Sequence, residues 1–93
     1  MTLVDLADIA GDNGVHQISA TQYNARFVKI GAVGGALRVG GSTVSASRGV
    51  SVGSGSTIDL ELDGSDPSEV FSTNQIYVYV PNGTTCTIAL GVG

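Results

Sequence analysis

The chain has 93 residues, with eight acidic and four basic side chains and a formal net charge of −4. This length suits one domain, and the acidic balance disfavours nucleic-acid binding, which normally requires a basic surface. One cysteine excludes an internal disulfide, and one cysteine with one histidine is too few for the usual zinc site. Fourteen glycines and only 13% charged residues indicate many turns and a largely uncharged surface.

The first 14 residues differ in pattern from the rest of the chain. Thr2 is suited to cap a short helix, and Gly11 is suited to end it. In that helix three apolar residues share one face: Leu3, Leu6 and Ile9. Residues 1–14 are therefore predicted to form either a short helix on the domain or an arm that packs on a neighbouring subunit. Residues 15–93 are predicted to form one β domain.

From residue 15 onwards the chain shows the alternation that is typical of strands. Ile58, Leu60 and Leu62, for example, alternate with three acidic residues, which indicates a half-buried antiparallel strand. Strands are predicted at 15–20, 26–30, 36–39, 43–46, 50–52, 57–63, 75–80 and 84–90. Seven or eight short strands separated by turns predict an all-β fold, either a compact antiparallel β-sandwich or a small barrel.

The last two predicted strands flank Pro81-Asn82-Gly83, and Asn-Gly between alternating strands predicts a β-hairpin. One face of this hairpin is predicted to enter the core, with Cys86 among its buried residues. The opposite face then carries Tyr77, Tyr79, Thr85, Thr87 and Ala89.

That opposite face holds no charge, although a free sheet face normally carries Lys, Glu or Arg. Tyrosine is enriched at protein interfaces, so another subunit is predicted to cover this face. An open Thr/Tyr face is the alternative, because both residue types favour strands. The predicted interface residues are Leu3, Leu6, Ile9, Tyr77, Tyr79, Thr85 and Thr87.

No pattern in the chain predicts a catalytic, metal or cofactor site. His16 and Cys86 are the only imidazole and thiol, and they are far apart in the sequence. Residues 59–64 partly match a calcium-binding loop, but Val70 stands where that loop needs glutamate, so a solvated acidic strand is predicted instead. The glycines lack the spacing of a phosphate-binding loop. The chain is therefore predicted not to be an enzyme.

Four segments carry a resemblance to a known class of proteins: ARFVKI at 25–30, LRVGG at 37–41, VSASRG at 44–49 and QIYVYV at 75–80. Over about two-thirds of the chain, this pattern resembles small β-rich structural proteins of tailed bacteriophages, namely capsid decoration (cement) and head-fibre proteins.

The resemblance implies a virion protein that is made in the bacterial cytoplasm and binds the major capsid protein on the outer capsid surface. It further implies a homotrimer that stabilises the capsid, with no nucleic-acid or membrane partner. The alternative is a tail-fibre, receptor-binding or carbohydrate-binding module. Such a module should present exposed aromatic residues flanked by polar groups in a groove.

Overall fold

The computed structural model describes residues 2–61 and 71–92, which form two antiparallel β-sheets. Sheet A has the strand order β1-β9-β3-β6, with β7 also paired to β3, and sheet B has the order β2-β8-β4-β5. The strands are β1 Thr2–Ala10, β2 Gly14–Gln17, β3 Asn24–Val33, β4 Leu37–Gly40, β5 Val50–Val52, β6 Thr57–Glu61, β7 Phe71–Ser72, β8 Tyr77–Val80 and β9 Thr85–Val92. A single 3-10 turn occupies Thr73–Gln75. The predicted all-β class is confirmed, and the chain forms the sandwich.

Four pairs of consecutive strands each contribute one strand to each sheet: β1–β2, β3–β4, β5–β6 and β8–β9. In sheet A, β9 lies between β1 and β3, and β6 pairs with the other edge of β3. In sheet B, β8 lies in the same way between β2 and β4, and β5 pairs with the other edge of β4. The sandwich is therefore a four-stranded antiparallel sheet folded across its middle, with the β8–β9 segment in a central position in both halves.

Four short corners at one end of the sandwich lead the chain from one sheet to the other, and they comprise residues 11–13, 34–36, 53–56 and 81–84. Residues 18–23 and 73–76 also connect the two sheets. Each corner contains one residue with positive φ, namely Asn13 at 60°, Gly34 at 82°, Gly55 at 78° and Gly83 at 87°. Backbone hydrogen bonds join neighbouring segments here, as from the Gly11 N–H to the Thr84 carbonyl at 2.8 Å. Much of the high glycine content thus lies at the fold line of the sheet.

The predicted hairpin between the last two strands is wrong, because β8 and β9 belong to different sheets. A type I′ hairpin turn needs positive φ at both central residues, whereas at this turn only Gly83, and not Asn82, has positive φ. With the Thr84 N–H bonded to the Pro81 carbonyl at 3.0 Å, the turn has the sign pattern of type II. The two strands consequently face each other across the core.

The prediction of which side chains of β8 and β9 face the core is confirmed. The side chains predicted to face the core are buried at four positions: Val78, Val80, Ile88 and Leu90. Cys86 is buried among them, as expected for a small apolar side chain. The side chains of β3 and β4 complete this core between the sheets, including Val28, Ile30, Leu37 and Val39.

The predicted N-terminal helix is also wrong, because Thr2–Ala10 forms β1 at the edge of sheet A. Val4 and Leu6 point inward with the period of a strand, and a bulge between Leu6 and Ile9 restores Ile9 to the inner side. Pairing with β9 covers a backbone edge that a helix would leave open.

The predicted strand at 43–46 is absent, and this segment belongs to a compact loop between β4 and β5. Ser45 and Arg48 exchange backbone hydrogen bonds in the loop, while Val44 is buried against Gly40 and Gly49. In the strand predicted at 57–63, Ile58 and Leu60 are half-buried and Asp59 is exposed, as expected. Residues 62 and 63 lie outside the described residues.

Candidate interaction surface

The outward side of sheet B carries both tyrosines of β8. One cross-strand row contains Val15, Tyr79, Arg38 and Ser51, and the next row pairs Tyr77 with Gln17 and Gly40. We call this surface, formed by Val15, Gln17, Arg38, Ser51, Tyr77 and Tyr79, the tyrosine face. Tyrosine and arginine are both enriched where proteins bind one another.

A shallow depression of about 390 Å³ lies on the tyrosine face. Tyr79, Arg38 and Ser51 line it together with apolar groups from Ala36, Ala46 and Pro81. The Arg38 guanidinium donates from Nη1 to the Gly49 carbonyl at 2.9 Å, which holds the side chain in place. Its other N–H groups have no acceptor among the described residues, so the depression presents an oriented cation beside an aromatic ring.

The two outer faces of the sandwich differ in charge. Every acidic residue in 2–61 and 71–92 lies in sheet A or at the corner before β2, so the tyrosine face has no acid among the described residues. On the outer side of sheet A, Asp5 and Asp8 lie beside a second depression, while Lys29 and Asp59 approach to 4.0 Å. The tyrosine face is therefore the less hydrophilic of the two.

The predicted interface residues do not share one surface. Tyr77 and Tyr79 lie on sheet B, whereas Thr85 and Thr87 lie on the outer side of sheet A, because β8 and β9 are in different layers. In β1, Leu6 and Ile9 pack against the core, and only Leu3 is strongly exposed, at 72%. That a subunit covers some of these residues stays a prediction.

Sequence reasoning missed the residues beside the tyrosines, above all Arg38, Val15 and Ser51. Their proximity depends on pairing β8 with β2 and β4, which are distant in the chain. One local signal was available: Arg38 stands between Leu37 and Val39, which are both buried, so strand alternation directs Arg38 outward.

His16 lies on β2 and bonds to Asp12 at the preceding corner, with 2.9 Å between His16 Nε2 and Asp12 Oδ1. This hydrogen bond is the main reason that the pKa of Asp12 falls below its ordinary value of 3.8. The pair thus fastens β2 to its corner and does not involve Cys86, which lies in the other sheet.

The Asp12→Asn variant is expected to be less stable than the parent at neutral pH and nearly as stable as the parent in strong acid. A lowered folded-state pKa stabilises the protein above the unfolded pKa, and that contribution disappears as the pH falls through the folded value. Urea unfolding between pH 2 and pH 7 measures the gap. Asp5→Asn controls for the loss of one charge, with all variants measured at dilutions where the protein is monomeric. A gap that widens in acid contradicts the assignment.

Burial raises the pKa of the Cys86 thiol to about 11, and the nearby charge of Asp8 adds to this effect. The thiol is therefore protonated at neutral pH, which is the opposite of an activated nucleophile. In the folded protein, Cys86 is expected to react with a disulfide reagent at pH 8 at least ~100-fold more slowly than in 6 M guanidinium. Equal rates in the two conditions would contradict the buried position.

The part of the chain that the structure describes contains no group of three or more His, Cys, Asp or Glu side chains placed to hold a metal ion. Within residues 2–61 and 71–92, no helix has the length and apolar character needed to cross a bilayer. Comparisons of the chain with protein-family models, with curated proteins and with solved structures found no match.

Proposed function

We propose that this chain is a non-enzymatic structural protein of a tailed phage, which binds the outer surface of the capsid as a homo-oligomer and stabilises it. The tyrosine face carries the proposal: it offers two half-buried tyrosines, an oriented arginine and no acidic residue among those described. A sheet face of this kind is suited to contact with protein. The capsid as partner follows from the sequence resemblance.

The self-association of the protein is tested by sedimentation velocity on the parent and on Tyr79→Lys. A lysine at position 79 replaces the aromatic ring at the centre of the tyrosine face with a flexible, strongly hydrated ammonium group. Because the apolar contact surface of the ring is lost, we expect the variant to sediment as a monomer where the parent is oligomeric. Ser54→Lys is the matched control, because Ser54 is exposed at a corner and belongs to neither sheet face. An unchanged oligomer for Tyr79→Lys would remove the tyrosine face from the interface.

Capsid binding is tested by co-sedimentation with heads of the phage that encodes the chain. The parent and Ser54→Lys are expected to pellet with the heads and to raise the temperature at which the heads release DNA. If the parent remains in the supernatant at micromolar concentration, the capsid is not its partner.

Carbohydrate binding is the second candidate, and the depression around Tyr79 favours it. An aromatic ring flanked by Arg38 and Ser51 presents an apolar surface next to hydrogen-bonding groups, as sugar recognition requires. A glycan array probed with the parent and with Tyr79→Ala separates the two functions. A glycan signal that is lost in Tyr79→Ala, while the sedimentation coefficient stays unchanged, would favour the carbohydrate module.

A further inference from the structure

Four charged side chains have no ion-pair partner among the described residues, and they are separated by sign. Arg38 lies on the tyrosine face and Arg48 lies in the adjoining loop, whereas Asp5 and Asp8 lie on β1. β1 is an edge strand of sheet A, and β4 is an inner strand of sheet B. The two sets therefore belong to opposite layers of the sandwich and cannot neutralise each other within one copy.

We propose that the tyrosine face of one copy docks on the outer side of sheet A of a second copy, where Arg38 meets Asp5. This inference rests on the self-association that the proposed function includes, and it names the surface that a copy presents to its neighbour. The two surfaces are complementary in charge, which favours the correct pairing and disfavours others.

The second copy also offers a suitable surface for the arginine. Asp5 and Asp8 line a depression of about 310 Å³ on sheet A, together with Lys29, Thr57, Thr87 and Ala89. Lys29 lies 4.0 Å from Asp59, so the two acids of β1 stay available to the arginine. A carboxylate accepts two parallel N–H donors from a guanidinium, and Arg38 has donors left after its bond to Gly49. The small side chains around the acids leave room for Tyr79 beside the arginine.

The position of these surfaces determines the symmetry of the contact. They lie on opposite outer faces of the sandwich, so one copy uses its tyrosine face while its sheet A remains available to another. Such a contact is head-to-tail and generates a closed ring or a filament. Two tyrosine faces related by a twofold axis would instead bring together surfaces that both carry Arg38 and have no acid among the described residues.

A charge exchange tests the contact. Arg38→Asp and Asp5→Arg each place like charges across the interface, so each is expected to weaken self-association at least ~10-fold in low-salt sedimentation. The double variant restores opposite charges with their positions exchanged, and we expect it to associate within about threefold of the parent. Circular dichroism melting verifies that all variants fold.

The matched control combines Arg38→Asp with Asp59→Arg, which changes the same charges but uses an acid that lies beside Lys29 in its own chain. This control is expected to associate no better than Arg38→Asp alone. If the double exchange at Arg38 and Asp5 associates no better than the single variants, or no better than the control, the contact is overturned while the proposed function stands. A parent that is monomeric at every concentration overturns both this contact and the homo-oligomer. Capsid co-sedimentation then tests whether the protein binds the capsid as a monomer.

Discussion

Replacing Gly11 by alanine is expected to lower the free energy of unfolding by about 3 kcal/mol, at the upper end of overpacking effects. A Cβ at this position would lie 1.8 Å from the Pro81 carbonyl oxygen and 2.6 Å from that of Thr84. Both atoms are backbone, so no side-chain rotation relieves the clash. Movement of the backbone would also break the 2.8 Å hydrogen bond from the Gly11 N–H to Thr84. Urea unfolding followed by circular dichroism measures the loss.

Gly41→Ala is the matched control, because a Cβ at Gly41 would have no heavy-atom neighbour within 4 Å and the backbone there needs no positive φ. Its unfolding midpoint is expected to stay the same or to rise slightly, since alanine restricts the unfolded chain. Equal losses in the two variants would mean that glycine is needed for chain flexibility and not for the close approach of two corners.

Replacing Thr73 by valine is expected to cost about 2 kcal/mol, although valine fills nearly the same volume. Thr73 is completely buried, and its hydroxyl accepts from the Tyr23 N–H at 2.8 Å and donates to the Thr21 carbonyl at 3.1 Å. Without the hydroxyl, the Tyr23 N–H loses this acceptor in the interior. This link holds the segment between β2 and β3 against the turn before β8.

Thr73→Ser keeps the hydroxyl and loses only a methyl group, so its loss is expected to be about 1 kcal/mol or less. Hydrogen exchange at the Tyr23 amide adds a local measurement, because exchange should accelerate in the valine variant and not in the serine variant. A serine variant that is less stable than the valine variant would assign the effect to packing and not to the hydrogen bonds.

Most strand positions after residue 14, and the inward faces of those strands, were predictable from the sequence, because alternation is a local property; the strand predicted at 43–46 is the exception. Val78 and Val80 on one strand, and Ile88 and Leu90 on another, are buried as their spacing requires. The pairing of strands was not predictable in the same way. Asn82-Gly83 fits a hairpin by composition, but the negative φ of Asn82 is incompatible with a type I′ hairpin turn, and the chain enters the opposite sheet. Pairing of β8 with β2 and β4, and of β9 with β1 and β3, stabilises this arrangement.

The N-terminal segment shows a different limit. Leu3, Leu6 and Ile9 fit a helical face, while Val4 and Leu6 fit a strand, and the sequence alone does not decide between these patterns. The strand forms because its backbone can pair with the edge of β9 that β3 leaves unpaired. A bulge then absorbs the extra residue, so that Ile9 still reaches the core. Short apolar patterns of this kind depend on the available pairing partner.

The candidate site was predicted in part. Strand alternation predicted that Tyr77 and Tyr79 face away from the core, and both are only half-buried. It could not place Arg38 beside Tyr79, because these residues are 41 positions apart and meet only through the pairing of β4 with β8. The lack of acid on this surface among the described residues is likewise a property of the folded sheet, since the acids in 2–61 and 71–92 lie on strands of sheet A or at the corner before β2.

The central position of β8 and β9 in both layers has a consequence for how the molecule forms. β1 pairs with β9 and not with β3, and β2 pairs with β8 and not with β4. Thr2 and Ala25, for example, both pair with Val92 near the end of the chain. β1 and β2 therefore have no strand partner until residues 77–92 arrive, although β3 and β4 can already pair with β6 and β5. Such distant pairings slow the search for the native state to milliseconds or seconds. Before folding is complete, the tyrosines of β8 and the apolar side chains of β1 are exposed and can associate with other chains. Correct assembly therefore requires that each copy folds first.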